Sequence, residues 1–313
     1  MTVLIYRSLA EVPAGFGPSV VTIGKFAGVP AGHVAVIARV RAEAARQGLT
    51  AVVLTFDRNP LALLRPQDCP PELVSAEQKQ ELLAATGVDA VVLAVFDTAF
   101  AAQTPEQFAT VALSGALDAR TVFVGPDFRF GAGGSGTAAT LRELGTRHGF
   151  TVTVIDEVRD GSGARASSSR IRTLLNEGAV AEAAELLGRD PSVRGTVVPG
   201  ARRGRELGFP TANLSPASEG LIPADGVYAG WLTDRTLGGA RFPAAISVGS
   251  NPTFTGVPPR QVEAHLLDQD LDLYGHTVEV AFSHRIRGQV AYGGVDALIA
   301  QIREDVRAIR ALL

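Results

Sequence analysis

The sequence predicts an α/β chain built in two parts: a doubly wound parallel sheet, then a small antiparallel barrel or compact sandwich. Three observations predict it. Short runs that are apolar throughout alternate with helical stretches in the first half, which suits a parallel sheet covered on both faces. The pattern breaks at Leu186-Leu187-Gly188-Arg189-Asp190-Pro191, where glycine and proline suit a helix stop and a linker. Beyond it the runs are short, β-rich and separated by turn clusters such as Pro223-Ala224-Asp225-Gly226. The domains are therefore expected over 1–187 and 188–313.

The elements follow in order. Val20–Ile23 reads as a buried strand, and His33–Gln47 as a helix with Val34, Ile37, Ala38 and Val40 near a 3.6-residue period. Ala51–Phe56 is the next strand, Ser75–Thr86 a helix, Ala90–Val95 a strand, Pro105–Leu113 a helix and Thr121–Val124 a strand. Ligands of such a sheet sit beyond the carboxyl ends of its strands. In the second half Gly195–Val198, Val227–Leu232, Ala244–Val248, Gln261–Leu267 and Thr277–Phe282 read as strands. Val295–Leu313 is amphipathic, with Leu298, Ile299, Ile302, Val306, Ile309 and Leu312 on one side, and is expected to close an end of the barrel.

Composition narrows the function. Hydrophobic residues make up 46% of the 313 and charged residues 19%, which provides a core and excludes global disorder. A net charge of −3 argues against coating nucleic acid or an anionic membrane through bulk charge, while leaving room for a local basic pocket. Cys69 is the single cysteine, so an intrachain disulfide and a Cys-rich metal site are both excluded. The first residues lack the layout of a secretion signal, and no apolar run approaches the roughly 20 residues that span a bilayer. A cytoplasmic protein without nucleic-acid or membrane partners is expected.

Several segments carry residues suited to phosphate chemistry. Gly24, Gly28 and Gly32 punctuate the turn between the first strand and its helix, and His33 falls in the first helical turn. Glycines there admit a phosphate to the backbone, and a helix N-terminus favours an anion, although a plain glycine-rich connection has the same spacing. Ser167-Ser168-Ser169-Arg170-Ile171-Arg172 offers capping hydroxyls and two guanidinium forks, Arg170 and Arg172, and equally suits an ordinary capped helix. Asp127, Phe128 and Arg129, in a glycine-bounded loop after a strand, could face a flat ring or a phosphate, or simply solvent.

The most informative stretch runs from Gly200 to Leu214. Arg202, Arg203 and Arg205, with Gly200, Gly204 and Gly208, precede the rigid step Phe209-Pro210. Thr211 and Asn213 alternate, so in an extended segment both point to one face as hard oxygen donors suited to Mg²⁺. Glu263 interrupts an apolar strand and could take a proton from an attacking hydroxyl, or merely face outward. His265 shares its face and could do no more than satisfy a hydrogen bond.

Taken together, these blocks resemble the prokaryotic bifunctional riboflavin kinase/FAD synthetase family, especially its actinobacterial members, from about Val20 to the C-terminus. The kinase half matches best, through Gly208-Phe209-Pro210-Thr211-Ala212-Asn213, Pro223–Ala229, Val248–Phe254, Val262–Asp268 and Asp272-Leu273-Tyr274-Gly275. The resemblance implies a six-stranded barrel that transfers the ATP γ-phosphoryl to the ribityl 5′-hydroxyl of riboflavin. It implies Thr211 and Asn213 at Mg²⁺ and ATP, with Glu263 as base. Gly200, Gly204, Gly208, Phe209 and Pro210 join them at the nucleotide.

The first half resembles the family's Rossmann-like adenylyltransferase module, which joins AMP from ATP to FMN. Thr55–Pro60 with Asn59, the loop of Asp127, Phe128 and Arg129, and Ser168, Arg170 and Arg172 fit it. The phosphate loop departs from the family pattern Gly-x-Phe-Asp-Gly-Val-His-x-Gly-His. Ala27 stands at the Asp position and Pro30 at the first His; His33 remains. Proline offers neither a side-chain donor nor an N–H, and losing one preorganised donor costs on the order of 10²–10³ in rate. The expectation is a riboflavin kinase using ATP and Mg²⁺, with impaired adenylylation. The alternatives are a fully bifunctional enzyme making FMN and then FAD, and a non-catalytic flavin- or nucleotide-binding regulator; a nucleic-acid-binding barrel is disfavoured by charge. Oligomeric state is not legible.

Overall fold

The computed structural model describes residues 3–155, 167–200, 204, 207–249 and 260–313. Arg202, Arg203, Arg205 and the motif residues from Ser250 to Phe254 lie outside the described residues. The chain divides into two compact units, one of Met1–Pro70 and Ala76–Ala166, the other of Pro71–Ser75 and Ser167–Leu313.

The first unit holds a six-stranded parallel sheet. Its strands are β1 (Leu4–Tyr6), β2 (Ser19–Ile23), β3 (Thr50–Phe56), β4 (Ala90–Ala94), β5 (Ala119–Val124) and β8 (Thr151–Val154), in the spatial order β1-β4-β3-β2-β5-β8. Helix α1 (Ala31–Gln47) follows β2, and Gly48 ends it in the left-handed conformation at φ 68°. Strands β2 to β5 are largely apolar because both their faces are covered. Val20, Val53, Val91 and Phe123 pack against Ile37 and Val40 of α1, whereas Val21, Val52, Val92 and Val122 face the opposite core.

Three further short helices, α2 (Pro60–Leu64), α3 (Ala76–Ala85) and α4 (Thr98–Ala101), line the same unit. The expected helix from Pro105 exists only in part. A capping box between Thr104 and Gln107 starts α5 (Pro105–Phe108), and the chain then widens into a π-helical segment over Ala109–Ala116. A two-stranded hairpin, β6 (Arg129–Phe130) with β7 (Gly136–Thr137), precedes α6 (Ala138–His148).

The second unit is a closed antiparallel barrel. Strands β9 (Ser192–Val198), β10 (Ala212–Leu214), β11 (Gly226–Asp234), β12 (Ala240–Gly249), β13 (Gln261–Leu266) and β14 (Thr277–Arg287) close in the order β10-β13-β12-β11-β14-β9. Tyr228, Leu232, Ile246, Val280 and Phe282 are fully buried, with the rings of Tyr228 and Phe282 edge-on at 5.5 Å.

Helix α9 (Val295–Leu312) does not close an end of the barrel. Its Ile309 packs on Val227 and Ala229, which alternate with Tyr228 and so lie on the outer wall. A bidentate contact pins it there: Arg287 donates from Nη2 and Nε to Asp305 at 2.6 and 3.0 Å.

Helices α7 (Ser168–Glu177) and α8 (Val180–Leu187) precede the sequence break yet belong to the second unit. The Ala224 amide donates to the Leu175 carbonyl at 2.9 Å, and Arg285 donates to the carbonyls of Glu177 and Asp225 at 2.8 and 3.1 Å.

Candidate active site

In the barrel, β10 is only three residues long and pairs with β13. Asn213 lies opposite Glu263 and Ala212 opposite Ala264. Val262, Ala264 and Leu266 fill the interior, so Glu263, His265 and Asn213 share the other face, and alternation brings Thr211 to it as well. The Asn213 amide donates to the Thr211 carbonyl at 3.1 Å and to its hydroxyl at 3.2 Å. The Thr211 hydroxyl is close enough to the Glu263 carboxylate to favour its charged form. Burial pushes the Glu263 carboxyl above its ordinary value, and the Thr211 hydroxyl offsets this only in part. Among the described residues there is no cluster of three or more His, Cys, Asp or Glu side chains fit to cage a metal.

Two glycines make this packing possible. A Cβ at Gly200 would lie 2.5 Å from Cγ of Asn213, and one at Gly204 would lie 2.5 Å from the Phe209 carbonyl oxygen. Gly208 turns at φ 85° ahead of Phe209 and Pro210. A solvent-open cleft beside the strands is lined by Gly200, Pro210, Thr211, Asn213, Asp272 and Tyr274.

The first unit presents a second set of residues. The chain order reverses at β2, with β3 on one side and β5 on the other, which opens a crevice beyond the carboxyl ends of β2 and β5. The turn of Gly24 and Gly28 follows β2, and Asp127 and Phe128 follow β5. The Gly24 amide donates to Leu54 at 3.1 Å, and the Thr55 hydroxyl donates to the Lys25 carbonyl at 3.2 Å, tying the turn to β3. Phe26 and Val29 take left-handed φ values of 46° and 41°, each at a cost of about 1 kcal/mol for a residue bearing a Cβ. Pro30 is the N-cap of α1 and supplies no side-chain cap, and Gly32 is buried in the first turn.

His33 is half-buried there, its ring edge-on to Phe26 at 5.0 Å and its Nδ1 buried without a hydrogen-bond partner. Burial, aided by the Lys79 ammonium, pushes its pKa down to about 4, so the imidazole is neutral near pH 7. Lys79 donates to the carbonyl of Phe56, at the end of β3, at 3.0 Å. Sequence reasoning missed this lysine, because its place depends on α3 packing beside a strand far from it in the chain.

Other predicted residues are placed differently. Asn59 Oδ1 caps α2 by accepting from the Leu61 amide at 3.1 Å. Phe128 stacks on Phe130 at 5.4 Å, while Asp127 and Arg129 are exposed. Ser168 and Arg170 open α7, where Ser167 is the cap, and Arg170 is exposed. Arg172 does not present its guanidinium outward. It is 9% exposed, and its Nε donates to the Pro71 carbonyl at 2.7 Å. These three belong to the barrel's unit.

Comparison with known proteins joins the two halves. The FAD synthetase family model matches residues 14–170 and the riboflavin kinase model matches residues 187–313. A bifunctional riboflavin kinase/FMN adenylyltransferase of Escherichia coli K12 is 37% identical over 286 residues, covering 91% of this chain and 90% of the relative. The protein of the same name from Listeria monocytogenes is 36% identical over 295 residues, covering 93% and 91%. A solved structure from Streptococcus pneumoniae, described as a macrolide-efflux protein, superposes with a TM-score of 0.87 at 30% identity over 99% of both chains. Among the described residues here no helix is long and apolar enough to cross a membrane. With both domain models matched in order and relatives aligned along nine-tenths of its length, this chain belongs to the bifunctional riboflavin kinase/FMN adenylyltransferase family.

Proposed function

We propose that the barrel phosphorylates riboflavin from ATP to give FMN, and that adenylylation in the first unit is impaired. The observation that carries the kinase reading is the grouping of Thr211, Asn213 and Glu263 on one face, with Thr211 and Asn213 lining a cleft. In this reading Glu263 takes the proton of the ribityl 5′-hydroxyl as that oxygen attacks the γ-phosphorus, and ADP leaves. A carboxyl pKa raised by burial suits a base working near neutrality. The Thr211 hydroxyl and the Asn213 amide oxygen are hard donors of the kind that hold Mg²⁺ with waters and phosphates. When bound, the ion would neutralise phosphate charge during transfer. The rest of catalysis is alignment, which the paired strands supply. Riboflavin and ATP as substrates, and a cytoplasmic setting, belong to this proposal.

The impairment rests on Ala27 and Pro30, which place no polar side chain in a turn that otherwise retains His33 and a helix N-terminus. Full bifunctionality is the second reading. It is favoured by one observation, the strained backbone at Phe26 and Val29, kept although two polar side chains are missing. Incubation of the purified protein with riboflavin, ATP and Mg²⁺, with FMN and FAD separated by chromatography, decides between them. FMN alone supports the first reading, brisk FAD formation the second, and neither product removes both.

A further inference from the structure

We propose that His265 is a positioning residue of the phosphoryl-transfer site, setting Thr211 in register with Glu263; this rests on the kinase reading above. Three consecutive residues of β13 act on the Pro210–Asn213 segment. Glu263 stands opposite Asn213, Ala264 pairs with Ala212, and His265 Nδ1 lies 2.8 Å from the Pro210 carbonyl. A carbonyl only accepts, so Nδ1 must carry the hydrogen. The imidazole also meets the Phe209 ring edge-on at 5.5 Å and 80°. On its other side His265 pairs with Ala245, whose small side chain leaves the ring room.

Thr211 needs such a hold. It lies just outside the ladder, whose pairing begins at Ala212, and Pro210 before it has no N–H to donate. The two residues flanking Thr211 are therefore both fixed from β13, one by strand pairing and the other by the His265 bond. Releasing the second would let the Thr211 hydroxyl drift from Glu263 and Asn213. Misplacement by about 1 Å can cost roughly 100-fold in rate.

The test compares three variants of the full chain for FMN formation, MgATP affinity and thermal unfolding. His265→Ala should lower kcat/KM roughly 10- to 100-fold, with KM for MgATP raised. His265→Phe keeps a ring but no donor and should match it. His265→Asn places an amide N–H where Nδ1 stood and should recover activity to within about 3-fold of wild type. Unchanged KM and kcat in the alanine and phenylalanine variants, with only a lower melting temperature, would overturn the proposal, as would an asparagine variant no better than alanine. A wild-type protein making no FMN would overturn the kinase reading and this inference together. An active wild type with kinetically silent variants overturns this inference alone.

Discussion

Asn213 and Glu263 stand opposite each other on adjacent antiparallel strands, and the Thr211 hydroxyl accepts from the Asn213 amide at 3.2 Å while favouring the charged form of the Glu263 carboxylate. One short ladder thus sets an oxygen donor suited to a metal opposite a carboxylate suited to a proton, with the Thr211 hydroxyl just beyond its end.

Glu263→Gln should keep that ladder and remove the base. FMN formation should fall by roughly 10²–10⁴. The base works only when ionised, so wild-type kcat/KM should decline as the pH falls through a carboxyl value above the ordinary glutamate range, the direction burial gives it. The measurement is a pH profile of both proteins; near-normal turnover in the glutamine variant would remove Glu263 from this role.

Gly200→Ala should act like a ligand substitution although it adds only a methyl group. Its Cβ would come within 2.5 Å of the Asn213 amide carbon and push that side chain from its place. The Mg²⁺ concentration for half-maximal rate should rise in Gly200→Ala and in Asn213→Ala, by about 10-fold or more if a metal ligand is lost. A magnesium titration showing no shift in either variant would assign Asn213 a purely structural part.

The first unit should answer to repair. The double change Ala27→Asp and Pro30→His should give measurable conversion of FMN to FAD while kinase turnover stays as it was. Chromatographic product analysis checks both rates in one assay. No gain in a well-folded repaired protein would show that the defect extends beyond this turn.

His33 should make the stability of α1 depend on pH. Its folded pKa of about 4 lies below the unfolded value of 6.5, so its contribution is complete above pH 6.5 and is lost progressively as the pH falls toward 4. Between pH 7 and 5 the loss should be about 2 kcal/mol. Amide exchange of α1, corrected for intrinsic rates, should show this decline in wild type and a flatter course in His33→Leu. Parallel courses would mean that His33 takes up its proton as freely in the folded chain as in the unfolded one.

The elements that could be read from the sequence are those with one dominant environment. Strands β2 to β5 are buried on both faces, and their apolar runs announce it. Strand alternation likewise grouped Thr211 with Asn213 and Glu263 with His265, while the pairing of β10 with β13 that brings the two groups together needed the fold. The edge strands β1 and β8 escaped because half their surface is open, and Thr151-Val152-Thr153-Val154 carries no apolar run. An amphipathic pattern marked α9 as a helix with one buried side, but the outer wall that covers Ile309 is set by tertiary packing. The inward turn of Arg172 toward Pro71 and the hold of His265 on Pro210 join residues remote in the chain, for which spacing gives no signal.

The assignment of Pro71–Ser75 to the barrel's unit has a consequence for modularity. The chain passes from one unit to the other at Pro70, returns at Ala76 and leaves again at Ala166. Each unit is therefore built from two separate stretches of the sequence. A gene fragment beginning at Gly188 would encode all six barrel strands yet omit α7, α8 and the Pro71–Ser75 strip that its fold recruits. A fragment begun at Gly188 should therefore be less stable than one begun at Ser167 and supplied with the Pro71–Ser75 strip.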